Sequence, residues 1–242
     1  MLSAGFKTDQ GRCRQNNEDS LFILPEHRLY MVADGVGGNR SGEVASRTAV
    51  TWVASFVDSH PLDEVTDEDQ LQRYFLESIT GANDEICRMA EADWQYSGMA
   101  TTLVVAYIKD DKGYVVNIGD SRAYLVRDGE IMQITHDHTY VNEHLMQGSI
   151  SEEEAKRHPE RNMITRAVGG DPTVRPDFFR FDLEPGDVIL LATDGLYGEL
   201  EDAVICKMVS AEPSMHQLAA DLVEAANIHG GRDNISVVCI RI

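Results

Sequence analysis

Four aspartates stand at the ends of apolar runs with glycine close by: Asp34 in VADGVGG, Asp120 in NIGDSRA, Asp194 in LLATDGLYG and Asp233 in GGRDNISVV. Taken singly, an Asp-Gly pair is ordinary turn chemistry, because both residues suit a tight backbone. Together the four have a second use. Two carboxylates about 4 Å apart repel by about 4 kcal/mol at an effective dielectric of 20, so acids gathered at one edge need protons or cations among them. Oxygen donors with no Cys or His in the set suit a hard ion, Mg2+ or Mn2+. Spacing does not itself bring the four together, and their convergence is an expectation for the structure.

Just upstream lies Arg14-Gln15-Asn16-Asn17-Glu18-Asp19. A planar guanidinium suits a two-pronged grip on phosphate, and Glu18 and Asp19 are able to reach a metal or its water. The plain alternative is a polar surface turn. Gly35-Val36-Gly37-Gly38 leads into a helix, but it matches neither G-x-x-x-x-G-K-[ST] nor G-x-G-x-x-G, so it does not read as a nucleotide cradle. These glycines read instead as permitting close backbone approach, with the Gly35 carbonyl free to face a metal. His136-Asp137-His138 offers two imidazoles, but the missing third soft ligand argues against zinc. No cysteine is followed six residues on by arginine, and G-x-S-x-G is absent, which disfavours covalent nucleophiles of those kinds.

The 242 residues carry 41 acids against 21 Lys and Arg, a net charge of −20. So acidic a surface disfavours nucleic acid and anionic membranes as partners, since phosphates need cations opposite them. The opening MLSAGFKTDQGR lacks the apolar stretch of a signal peptide, and the run Leu103 to Ile108 is far short of the roughly 20 residues that span a bilayer. The four cysteines are scattered, which fits reduced thiols and a cytoplasmic setting. With no repeat and no linker, residues 1–242 read as one domain.

The elements that must position these acids follow from periodicity. Residues 20–33 read as a hairpin around Pro25-Glu26-His27. A helix is expected over about 42–58, capped by Ser41, with Ala49, Trp52, Val53, Phe56 and Val57 on its apolar face, and a second over about 67–91. Strands are expected at 101–108, 113–118, 122–127 and 130–135. Their short connections imply antiparallel neighbours throughout. Residues 140–170 are polar and mostly helical or irregular. Strands at 174–181 and 187–193, helices at 199–210 and 214–228 and a last strand at 235–242 complete an α+β layered fold.

In order along the chain, GRCRQNNEDS, VADGVGGNRSGEVAS, SGMATTLVVAYI, NIGDSRAYLVRDGEI, ITHDHTYV, HPERNMITRAVGG, ILLATDGLYGEL and GGRDNISVVCIRI resemble the blocks of the metal-dependent type 2C (PPM) protein phosphatases in their compact bacterial form. The resemblance implies a four-layer αββα sandwich, with two antiparallel sheets flanked by helices and two Mn2+ or Mg2+ ions at one edge. It implies that Asp34 bridges the ions and that the Gly35 carbonyl binds one of them. Asp194 and Asp233 complete the other, and Glu18 and Asp19 act directly or through water. Arg14 would hold the substrate phosphate, Asp120 with Asp194 would make a third, weaker ion site, and residues 140–167 would form a flap beside the site. The implied reaction is hydrolysis of phosphoserine and phosphothreonine by a metal-activated water. The implied partners are phosphoproteins, among them a bacterial Ser/Thr kinase of eukaryotic type, and the implied state is a monomer. The alternative is a catalytically inactive, phosphatase-like binding or scaffold module. Many eukaryotic members have histidine directly after the Asp-Gly pair, where this chain has Val36. The acid that protonates the leaving group is then expected to be a metal-bound water, with His138 as second choice.

Overall fold

The computed structural model describes residues 2–37 and 41–242. One sheet runs β1 (Ser3–Asp9), β11 (Ile235–Arg241), β10 (Val188–Ala192), β7 (Arg122–Arg127), β8 (Glu130–Gln133). The second runs β2 (Asp19–Leu24), β3 (Leu29–Val36), β5 (Leu103–Lys109), β6 (Lys112–Ile118), β9 (Asp177–Asp182), with the short β4 (Ala100–Thr101) paired to the end of β3. Adjacent strands are antiparallel. Helices α1 (Ser41–Ser59) and α2 (Glu68–Ala92) cover the second sheet. The other is covered by α5 (Asp194–Tyr197), α6 (Asp202–Ala211) and α7 (Met215–His229), while α3 (Tyr140–Met146) and α4 (Glu152–Arg157) belong to the polar segment expected there. The layers are therefore αββα, as expected.

Strand alternation divides the core. On β3, Leu29, Met31 and Ala33 pack against α1 and α2, whereas Tyr30 and Val32 face the opposite sheet. On β10, Val188, Leu190 and Ala192 face the helices, and Ile189 and Leu191 join the layer between the sheets. Most element boundaries agree with the periodicity to within about three residues. On α1, Trp52 is 39% exposed and lies over Gly81 of α2, so it rims the helix pair instead of filling the core. Ser41 is already helical, and any cap before it lies outside the described residues, as does Gly38.

One expectation is overturned. Gly119-Asp120-Ser121 does not close a hairpin: β6 lies in one sheet and β7 in the other. Connection length does not distinguish a hairpin from a corner between packed sheets. Gly119 turns the chain at φ +98°, and the corner is held by the Thr102 Oγ1 to Ser121 Oγ bond at 2.7 Å and by Asn117 Nδ2 donating to Gly119 O at 3.2 Å. By contrast, β7 and β8 do form a hairpin, turning through Asp128 and Gly129, both at positive φ as a tight two-residue turn requires.

A Cβ at Gly119 would lie 2.5 Å from Thr102 Cγ2. Gly119→Ala is expected to lower stability by about 1–3 kcal/mol through strain at a positive φ. Urea unfolding of the chelated protein checks this, and an unchanged midpoint would refute it.

Candidate active site

The alternation that builds the core also aims the acids. Leu21 and Ile23 of β2, with Tyr30 and Val32 of β3, face the layer between the sheets. Two residues further along each strand, the same parity brings Asp19 and Asp34 to the mouth of that layer, directly opposite each other in register. From the other sheet, Ile189 and Leu191 are followed in phase by Thr193, whose hydroxyl donates to Asp19 Oδ2 at 2.8 Å and accepts from Ser236 N at 2.9 Å. Asp194 follows as the first residue of α5. Asp120, in the sheet-to-sheet corner, and Asp233, just before β11, line one cavity with Asp194.

The remaining candidates gather at the same mouth. Arg14 Nη2 contacts Asp233 Oδ2 at 2.5 Å. Buried Asn234 ties the Arg14 loop to this edge: its Nδ2 donates to Gln10 O and Asn16 O, and its Oδ1 accepts from Glu18 N at 2.8 Å. Gly35 N donates to Glu18 O, which brings β3 against that loop. Gly35 and Gly42 show why glycine stands there. A Cβ on Gly35 would meet Gly42 O at 2.1 Å, and one on Gly42 would meet Glu18 Oε2 at 2.4 Å and Gly35 O at 2.7 Å. The space a side chain would fill is thus kept between a carboxylate and a backbone carbonyl.

Burial, with the charges of Asp19, Asp194, Asp120 and Asp233, pushes the Asp34 carboxyl well above its usual range. Burial dominates for Asp19 as well and raises it to about 7, against hydrogen bonds from Ser236 and Thr193. Burial and Asp194 raise Asp120 to about 7. Burial and Asp233 raise Asp194 to about 6, opposed by a hydrogen bond with Asp34. Asp19 Oδ1 and Asp194 Oδ1 are buried without a hydrogen-bond partner. A buried polar atom with no partner is destabilising, and a cation among these oxygens supplies what they lack. Among the described residues, no three Asp, Glu, His or Cys side chains close around one point. An ion held by one or two of these carboxylates would keep water in the rest of its shell, as Mg2+ commonly does.

The histidines play no part in this cluster. His138 is 2% exposed, its Nδ1 accepts from Gly119 N at 3.1 Å, and its Nε2 meets Asp177 Oδ2 at 3.1 Å. It braces the corner behind Asp120 with both ring nitrogens engaged, which argues against it as the proton donor. Asp137 is bound to Arg122, and His136 packs on Phe179. Val36 is 45% exposed at the end of β3.

The sequence reading missed Tyr197 and Glu199, which lie within five residues of Asp194. Tyr197 OH donates to Asp120 O at 2.8 Å beneath the Arg122 guanidinium, 3.7 Å from the ring centre. The Glu199 side chain, 3% exposed, accepts from Arg232 N at 3.0 Å, Nε at 2.8 Å and Nη2 at 2.8 Å. One short segment therefore ties the Asp194 turn to the loops bearing Asp120 and Asp233. Only the proximity of both residues to the Asp-Gly turn hinted at this.

A two-sheet sandwich with buried, partly unpartnered carboxylates at its mouth defines a class of enzymes that work through divalent cations. The sequence profile described as Protein phosphatase 2C matches residues 10–234, and the chain belongs to that family. It is 34% identical to the serine/threonine phosphatase stp of Listeria innocua, over 99% of this chain and 95% of that one. The S. agalactiae serine/threonine phosphatase superposes at a TM-score of 0.93 with 34% identity and full coverage of both chains. The catalytic domain of the phosphatase PstP in complex with two manganese ions superposes at 0.85 with 34% identity, covering 99% of this chain and 97% of that one. Metal-dependent protein serine/threonine phosphatase activity goes with this membership, as do Mn2+ or Mg2+ as cofactors.

Glu199→Gln keeps the shape of the Arg232 clamp but removes its charge. Charge-assisted pairs of this kind contribute about 1.5–3 kcal/mol. Mn2+ affinity measured by titration calorimetry is expected to fall about tenfold with the circular dichroism spectrum unchanged. Unaltered affinity would show that the clamp does not position Asp233.

Proposed function

We propose that this chain removes phosphate from phosphoserine and phosphothreonine of proteins at the acid-lined mouth between the sheets. The observation that carries the reading is the meeting of Asp19, Asp34 and Asp194 with carboxylate oxygens left unpartnered. Asp34, the Gly35 carbonyl, Asp194 and Asp233 would hold two core ions, with Glu18 and Asp19 beside them directly or through water. Asp120 with Asp194 would hold a third, weaker one. When bound, Mn2+ or Mg2+ supplies Lewis acidity that activates water and offsets charge on a phosphoryl group.

The chain's own groups do the rest. Arg14 is half exposed and uses one Nη donor on Asp233, which leaves guanidinium donors for phosphoryl oxygens. Thr193 and Ser236 hold Asp19 in place. Asn234 keeps the Arg14 loop against the edge that carries Asp233. Tyr197 and Glu199 fix the spacing of the Asp120, Asp194 and Asp233 loops, so the acids need little rearrangement to receive ions. With His138 turned away, protonation of the leaving alkoxide falls to water.

We further propose that the natural substrates include a Ser/Thr kinase and the proteins it phosphorylates, that the enzyme acts in the cytoplasm and that it works as a monomer. The serine/threonine phosphatase names of the relatives support phosphorylated proteins as substrates. No described helix is long and apolar enough to cross a membrane.

Two variants separate metal from phosphate. Asp34→Asn is expected to lower Mn2+ affinity and p-nitrophenyl phosphate turnover together, by at least about a hundredfold. Arg14→Ala is expected to raise KM for a phosphopeptide by about tenfold or more at nearly unchanged Mn2+ affinity, the loss of a charge-assisted contact of about 1.5–3 kcal/mol. Phosphopeptide binding by the wild-type chain without Mn2+-dependent turnover would replace this reading with the scaffold one.

A further inference from the structure

The acid mouth does not end at the acids. Asp120, Asp194 and Asp233 share the lining of a cavity of about 530 Å3 with residues of α3 and α4. On α3, Val141 and Leu145 are one helical turn apart and so share a face, and Ala155 of α4 joins them on the cavity wall. None of the residues of α3 is buried in the protein core. An i, i+4 aliphatic pair is the usual mark of a helix packed on a core. Here the pair instead stays half-buried and lines the space that opens on the carboxylates.

Size and chemistry specify what fits. A space of this volume would be about 10 Å across if round, and successive Cα atoms are about 3.8 Å apart, so a residue one or two positions from a phosphoresidue at the acid end reaches the aliphatic wall. Within the lining, Asp137 is paired with Arg122 and Glu199 with Arg232, so these charges are met inside the protein, whereas an aliphatic side chain would cover Val141 and Leu145. We propose that Val141, Leu145 and Ala155 form a subsite for an aliphatic side chain, so that the enzyme prefers phosphoproteins with Leu, Ile, Val or Met one or two positions from the phosphoresidue. The proposal rests on the phosphatase reading above, and it makes this wall a determinant of specificity rather than of catalysis.

The test compares two phosphothreonine peptides that differ only in the flanking positions, Leu in one and Ser in the other. Both are measured beside p-nitrophenyl phosphate, which does not reach the wall. Wild type is expected to favour the Leu peptide by about tenfold in kcat/KM, the usual discrimination for a few methylenes in an apolar pocket. Leu145→Ser, and separately the isosteric Val141→Thr, are expected to reduce that preference severalfold with p-nitrophenyl phosphate turnover unchanged. Equal kcat/KM for the two peptides in wild type, or an undiminished preference in both variants, overturns the subsite. Loss of p-nitrophenyl phosphate turnover in wild type with Mn2+ would overturn the phosphatase reading instead. Fluorescence anisotropy of the same two peptides then still decides the subsite, since equal affinities would refute it.

Discussion

Mutual repulsion among buried carboxylates is the constraint on which this structure turns. Asp19 and Asp34 lie opposite each other on paired strands, and the charges of Asp194, Asp120 and Asp233 are close enough to raise the pKa of Asp34. At about 4 Å, each pair of charges would cost about 4 kcal/mol at an effective dielectric of 20. The fold holds them by two means. Burial and neighbouring charge raise the pKa of Asp19, Asp34, Asp120 and Asp194, which favours protons on these acids, and the Arg14 guanidinium contacts Asp233. Divalent cations would replace such protons with far more charge per site, which would turn an unfavourable cluster into a binding site.

The sandwich makes this arrangement affordable because the acids are carried by elements that are rigid for other reasons. The layer between the sheets is filled by side chains of alternating residues, and its mouth inherits their register. Loops that would otherwise spring apart are cross-tied: Asn234 to the Arg14 loop, Tyr197 to Asp120 and Glu199 to Arg232. The Gly35 and Gly42 backbones are kept bare so that a carbonyl and the Glu18 carboxylate approach the same space. At the same edge Asp120, Asp194 and Asp233 share the lining of one cavity with Val141 and Leu145 of α3.

Much of the site was legible in the sequence because its chemistry is written at strand ends. Asp34, Asp194 and Asp233 each adjoin an apolar run that is itself a core strand. The family blocks run in order along the chain, and the layered fold follows from them. Other features were not legible. Ser3–Asp9 pairs with β11 as an edge strand, yet only Gly5 in it is buried, so it carries no apolar alternation to read. The corner at Gly119 has the length of a hairpin turn, and which sheet β7 joins is decided by packing. Glu199 and His138 take their meaning from partners far along the chain, Arg232 and Asp177, which spacing does not reveal.

A carboxyl whose pKa is higher folded than unfolded binds extra protons in the folded state. Its contribution to the stability of the metal-free protein is complete below about pH 4 and is lost as pH rises through the folded value, about 7 for Asp19 and Asp120. Ions that take the place of these protons must expel them. The decisive measurement is the number of protons released on Mn2+ binding, read by titration calorimetry in buffers of different ionisation enthalpy at pH 6 and pH 8. The account predicts release of about one proton or more per chain at pH 6 and clearly less at pH 8. Binding at pH 6 without proton release would contradict it, because the ions would then not be entering the protonated acid cluster.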